Sequence, residues 1–180
     1  MAHIKLPEGL PGIRGPLVQY PETAQHIAAF AHALMLGQSS LTPGEREVIA
    51  TYVSSLNGCT YCARSHAESA KCLLGPQSII VDQVLSGLDQ ADISPKLKAL
   101  LVIAGKVQQG GRLVTDEDIA KARDEGANDK AIHDTVLVAA AFCMFNRYVD
   151  GLNTDIPEDP AFYREAGRLS VERGYTLRKW

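Results

Sequence analysis

Apolar positions recur along this chain at intervals of three and four residues, and nowhere do apolar and polar residues alternate over the length of a strand. That period, together with repeated helix start and stop signals, predicts an all-α fold of about seven to eight helices. Pro21-Glu22 opens an alanine- and leucine-rich stretch that stops at Gly37. Thr42-Pro43-Gly44-Glu45 reads as a capping box with proline at the first helical position, where its missing N–H costs nothing. A helix should follow Asn57-Gly58, and Pro76 to Gly87 is expected to be helical as well. Ser94-Pro95 opens the next, which runs to Gly110-Gly111. Thr115-Asp116-Glu117-Asp118 places negative charge in a first turn, where the helix dipole favours it, and Gly126 closes that helix. Asn128 caps the longest segment, to about Gly151, and Asp159-Pro160 opens the last.

The first twenty residues break this pattern. They contain Pro7, Pro11 and Pro16 with three glycines, and so predict an extended arm over residues 1–20 that wraps the domain or a neighbouring subunit. Residues 21–180 read as one helical domain, with no low-complexity tract, charge block or fixed-period repeat.

Composition narrows the function. With 21 acidic and 18 basic residues the net charge is −3, which argues against a nucleic-acid partner, because phosphate recognition needs clustered Lys and Arg. Hydrophobic residues make up 46% of the chain, enough for a sizeable core. The longest apolar run, Val136 to Phe145, is about half of what a bilayer span needs, so no membrane is expected. Met1-Ala-His-Ile-Lys-Leu-Pro7 is not an apolar signal segment, and the protein is expected to be cytoplasmic. No glycine-rich phosphate loop, HExxH or GxSxG motif occurs, and the chain is expected to work with no bound cofactor and no metal.

The cysteines, Cys59, Cys62, Cys72 and Cys143, are the informative residues. A disulfide framework is improbable in a chain this long with so few of them. Cys59 and Cys62 form the one close pair. On a helix beginning near Cys59, taken as zero at about 100° per residue, Cys62 falls near 300° and His66 near 340°. Ala63, Ala67, Ala70, Leu73 and Leu74 share that half, while Tyr61, Arg64, Ser65, Glu68, Lys71 and Cys72 fall on the other. Both thiols and the imidazole therefore face inward, and Cys72 is separated from them.

A helix N-terminus and a nearby histidine each lower a thiol pKa, and the thiolate is the nucleophile. Cys62 and His66, at i and i+4, can approach as a nucleophile and its base must. Cys59, one turn earlier, is placed to condense with an oxidised Cys62. Redox chemistry is the favoured reading. A zinc site of Cys59, Cys62, His66 and one more ligand, and a buried structural pair, stay open. A carboxylate should complete such a site. Glu45 is explained by capping. Glu47 lies opposite the stripe Val48, Ile49, Tyr52, Val53 and Leu56, on a small-residue face with Ala50, Thr51 and Ser54, and wheel geometry alone favours a solvated Glu47.

The pattern Glu47-x11-Cys59-x2-Cys62-x3-His66 resembles the signature of the AhpD-like alkyl hydroperoxidases, in the carboxymuconolactone decarboxylase superfamily. Glu45-Arg-Glu47-Val-Ile-Ala, Asn57-Gly-Cys59-Thr-Tyr-Cys62 and His66 look most like its peroxidase-related branch. Motif-bearing similarity covers about residues 40 to 75, and the helical layout extends it more weakly. The resemblance implies an AhpD-like multi-helical bundle assembled as a homo-oligomer, a dimer, trimer or hexamer. It implies an oxidoreductase, a thiol peroxidase or disulfide reductase in which Cys62 becomes the sulfenic acid. Cys59 would be the proton donor and resolving thiol, with Glu47 and His66 relaying protons. A small hydroperoxide would be the substrate, and a dithiol or protein thiol the reductant. Some members carry a histidine where this chain has Tyr61, which the wheel turns outward. The superfamily's decarboxylases lack the cysteine pair, which makes that activity the poorer fit.

Among the remaining candidates, His26, His32 and His133 read as packing or surface residues. Cys143 lies in a stretch apolar all round and reads as an inert core thiol. Arg147 and Asp150 read as ordinary charges near a helix end.

Overall fold

The computed structural model describes residues 1–175. Among the described residues there are nine α-helices and no strand. They are α1 (Arg14–Gln19), α2 (Pro21–Leu36), α3 (Pro43–Leu56), α4 (Thr60–Leu74), α5 (Ile79–Ser86), α6 (Pro95–Gln109), α7 (Asp116–Asp124), α8 (Asp129–Gly151) and α9 (Pro160–Arg173). The expected stretch from Pro76 to Gly87 is α5 preceded by a 3-10 turn, Gly75–Gln77.

The starts obey local chemistry. At α3, Glu45 N donates to Thr42 Oγ1 at 3.1 Å and Thr42 N to Glu45 Oε2 at 2.8 Å, closing the capping box. Thr115 and Asp118 repeat the device on α7. Asn128 Oδ1 accepts from Ala131 N at 2.9 Å to cap α8, and Asp159 Oδ1 accepts from Ala161 N at 2.8 Å to cap α9. The turn before α4 needs Gly58, whose φ is +72°.

The arm expected to be extended through residue 20 is irregular only as far as Ile13, and Arg14–Gln19 is helical. Pro16 permits this because it sits in the first turn, where backbone N–H groups have no intrahelical acceptor anyway. The arm lies along the segment that follows α8: His3 N donates to Leu152 O at 2.9 Å and Gly12 N to Asp155 O at 3.0 Å.

The main core is built from α3, α6 and α8, through Val48, Ile49, Val53, Leu100, Leu101, Ile103, Val138 and Phe142. Against this slab α3 packs along α4, and α4 along α9. The α4–α9 contact is close because Gly167 has no side chain: a Cβ there would lie 2.7 Å from the Glu68 carbonyl carbon. A second, smaller apolar cluster joins Cys59, Tyr61, Cys62, Val149 and Tyr163 where α4 begins.

Candidate functional site

Cys59 is the N-cap residue of α4, and its N–H donates to Ser54 O at 3.0 Å, which ties the start of α4 to the end of α3. Cys62 lies in the first turn, and both residues are buried free thiols. The sulfurs are within hydrogen-bonding reach of one another. Cys72 is exposed on the far side of the helix, as its phase requires.

One turn after Cys62, His66 meets Glu47. The imidazole Nδ1 lies 2.7 Å from Glu47 Oε2. An ionised carboxylate only accepts, so Nδ1 carries the proton and donates it. This leaves Nε2 as the nitrogen available to Cys62. Glu47 is 1% exposed. The wheel expectation of a solvated Glu47 is therefore corrected: its small-residue face is the one α4 covers, and the buried charge is held by hydrogen bonds. Phe142 from α8 sets its ring at 89° to the imidazole with centroids 4.5 Å apart. On the other side the Tyr175 ring stacks on the imidazole with centroids 6.0 Å apart, and its hydroxyl donates to Glu47 Oε1.

These neighbours set different proton affinities on the two thiols. Cys62 is held below the ordinary thiol range, first by the hydrogen bond it receives from Cys59, against its own burial, and then by the His66 charge and the Asn146 amide. Cys59 is pushed far up by that same hydrogen bond, by burial, by the charge on Cys62 and by Asp150. Of the two, Cys62 is therefore the thiol that ionises more readily, and Cys59 the one that keeps its proton beside it. Burial alone would push the His66 imidazole down, but the Glu47 charge and hydrogen bond outweigh it and hold it above its usual value. Burial, then the Glu47 charge and hydrogen bond, keep the Tyr175 phenol protonated.

Asn146 belongs to a polar chain that braces this corner. Its Nδ2 donates to Ser54 Oγ at 3.0 Å, and its Oδ1 accepts from Asn57 Nδ2 at 2.8 Å. Asn57 Oδ1 accepts in turn from Gln108 Nε2 at 3.0 Å. Sequence reasoning missed Asn146 and Tyr175. A polar residue within the apolar face of α8 was a usable signal for the first, and nothing in the local sequence marked the second. Asp150, read as an ordinary terminal charge, lies beside Cys59.

Two further expectations are corrected. Tyr61, turned outward on the wheel, is 5% exposed, because the arm and α9 cover that side of α4. Gly12 packs directly on its ring: a Cβ at Gly12 would fall 2.1 Å from Tyr61 Cζ. Cys143 is partly exposed rather than enclosed in the core, and its sulfur lies 3.7 Å from Asn57 Nδ2. His26 and His133 are exposed, and His133 Nδ1 lies 2.9 Å from Asp134 Oδ1. His32 is partly buried, against the turn at Gly174.

A cavity of about 100 Å³ opens beside Cys62 and His66. Its walls are mainly apolar and include Leu17, Ile27, Met35, Phe142 and Phe145, with Tyr175 at the Glu47 end. Cys59 does not line it and borders a separate, outer groove with Ser55, Gly58 and Arg64. Among the described residues, no three His, Cys, Asp or Glu side chains are grouped so that they can hold a metal ion. No described helix is long and apolar enough to cross a membrane.

Residues 21–73, which include the whole Glu47, Cys59, Cys62 and His66 constellation, match the carboxymuconolactone decarboxylase family. The fold is similar to the alkylhydroperoxidase AhpD core of an uncharacterized peroxidase-related protein from Ralstonia eutropha JMP134. The TM-score there is 0.77 at 28% identity, over 88% of this chain and 81% of that one. The chain is thus similar to the carboxymuconolactone decarboxylase family over residues 21–73, and its fold is AhpD-like. A second similar structure is an uncharacterized peroxidase-related protein from Silicibacter sp. TM1040, with a TM-score of 0.74 at 28% identity, over 83% of this chain and 78% of that one. No curated protein sequence matches the chain. The superfamily's all-helical architecture is the one found here, with nine described helices where the pattern predicts seven to eight.

Proposed function

We propose that this AhpD-like protein is a thiol-dependent peroxidase that reduces organic hydroperoxides at Cys62. The observation that carries the reading is a thiol of lowered pKa at the start of α4 that faces an apolar cavity, with a second thiol in reach and a buried carboxylate–imidazole pair behind it. The Cys62 thiolate attacks one peroxide oxygen, an S–O bond forms, and the O–O bond breaks. The departing alkoxide takes a proton from the His66 imidazolium and leaves as the alcohol. Cys59 then attacks the Cys62 sulfenic acid, the S–O bond breaks, and hydroxide leaves as water by taking a proton returned through His66. The resulting disulfide is reduced by an external dithiol, which is itself oxidised to a disulfide. Attack on the Cys59 sulfur is favoured at that step, because it expels Cys62, the thiol of lower pKa. The peroxidase-related description of both similar structures supports the reading.

The test is stoichiometric. One equivalent of an alkyl hydroperoxide should consume two thiols per chain and give a Cys59–Cys62 disulfide that a dithiol reverses. Cys59→Ser should stop at a sulfenic acid on Cys62, trapped by a dimedone-type reagent. Unchanged peroxide consumption in Cys62→Ser would sink the proposal. A homo-oligomer working without cofactor or metal belongs to the same reading, and analytical ultracentrifugation tests the assembly.

A further inference from the structure

Tyr175 stands outside every motif in the chain, yet its hydroxyl reaches the deepest charge in the site. It follows Gly174, whose φ of +69° turns the chain sharply at the end of α9. A Cβ at Gly174 would lie 2.6 Å from His32 Nδ1, so the turn sits directly on α2. From there the phenol enters the apolar cavity, stacks on His66 and donates to Glu47 Oε1. The two oxygens of Glu47 are thereby divided, Oε2 to His66 Nδ1 and Oε1 to Tyr175.

We infer that Tyr175 is a positioning residue of the thiol site: its hydroxyl holds the Glu47 carboxylate in the orientation that keeps the His66 proton on Nδ1 and Nε2 free for Cys62, and its ring closes the cavity at that end. The inference rests on the peroxidase reading only for what the site does, and its geometry is independent of it. A carboxylate with both oxygens engaged cannot rotate, so the imidazole it holds has a single tautomer and a single plane. The phenol also draws charge from the carboxylate. Without it, Glu47 attracts the imidazolium proton more strongly, and His66 stays charged to higher pH. Among the described residues, the ionisable and charged groups around the dyad are Arg46 beside Glu47 on α3, Cys62 on α4, Arg14 of α1 on the wall of the shared cavity, and Tyr175 itself. Arg46 is committed elsewhere, its Nη1 donating to Leu34 O at 2.7 Å, and α8 contributes the uncharged Phe142.

The experiment follows His66 by NMR in protein carrying isotope-labelled histidine, with the resonance identified by its loss in His66→Asn. Wild type should show, above its titration, a neutral imidazole protonated at Nδ1. Tyr175→Phe, which keeps the ring, should raise the His66 titration by roughly one pH unit. The upper step in the pH profile of Cys62 alkylation should move with it, read by mass spectrometry in a Cys72→Ser background. Tyr175→Leu should reproduce that shift and also speed alkylation by a bulky maleimide, because the cavity end is opened. An Nε2–H tautomer in the wild type, or superimposed His66 titrations of wild type and Tyr175→Phe, would overturn the inference. Neither measurement uses peroxide. Failure of hydroperoxides to oxidise Cys62 would therefore defeat the proposed activity and leave the assignment of Tyr175 to stand or fall by itself. The tautomer measurement needs no variant at Tyr175 and remains decisive if that substitution unfolds the chain.

Discussion

A carboxylate that is 1% exposed needs a donor on each oxygen, and Glu47 has one on each. Replacing it isolates the contribution of the pair. In Glu47→Gln only the charge on Cys62 opposes the burial of His66, so the imidazole loses its proton at lower pH and Cys62 loses a positive neighbour. Peroxide oxidation of Cys62 at neutral pH should fall by roughly 10²-fold or more, the scale of a lost acid–base partner. A change within about threefold in stopped-flow measurements would remove the pair from the chemistry. The shifts also set the pH response of the intact protein. Cys62, lowered, should stay reactive below the ordinary thiol value of about 8.5, and its reactivity should vanish as pH falls through its native value. His66, raised, stabilises the fold fully below about pH 6.5, and this contribution disappears as pH rises through its native value. Denaturant midpoints of wild type and His66→Gln should therefore differ more at acidic than at alkaline pH. At this scale the grouping of the candidate residues was legible, since Cys59, Cys62 and His66 share one helical phase. The state of Glu47 was not, because a wheel describes one helix and not what covers it.

Helix boundaries follow from residues a few positions apart. The Thr42–Glu45 box, the Ser94-Pro95 start and the Asn128 and Asp159 caps all begin helices where local hydrogen bonding requires. Thr42→Ala should lower stability by about 1 kcal/mol in chemical unfolding and leave Cys62 reactivity unchanged, since the cap is at the far end of α3 from Cys59. Contacts between helices follow different rules, and Gly167 shows the difference. In an isolated helix, Gly→Ala would add about 1 kcal/mol of stability. Here the new methyl would meet the backbone of α4, 2.7 Å from Glu68 C and 2.8 Å from Ser69 N, neither of which can yield without moving the helix. Overpacking of this kind costs about 1–3 kcal/mol, so Gly167→Ala should destabilise the protein. A raised melting temperature would show that α9 is not held against α4 as described. The covering of Tyr61 by α9 and the arm belongs to this scale too, as does the short helix α1 around Pro16. Both depend on partners distant in sequence.

For the molecule as a whole, the net charge of −3 and the apolar cavity imply an encounter without long-range steering. The rate of Cys62 oxidation by an uncharged hydroperoxide should change by less than about twofold between low and high salt. A steep salt dependence with this uncharged substrate would show that charged groups around the cavity govern the step. Across the 180 residues the sequence alone determined the helical class, the positions of most helices, and the grouping of two thiols with an imidazole. Each of these depends on periodicity or on hydrogen bonds within a few residues, which a linear pattern records. Only the tertiary structure decided that Glu47 is buried against His66, that Asp150 lies by Cys59 and Asn146 by Cys62, and that Tyr175 closes the site more than a hundred residues from its partners. These depend on how α3, α4, α8 and α9 converge, and burial, which sets the proton affinities of the site, is a property of that convergence.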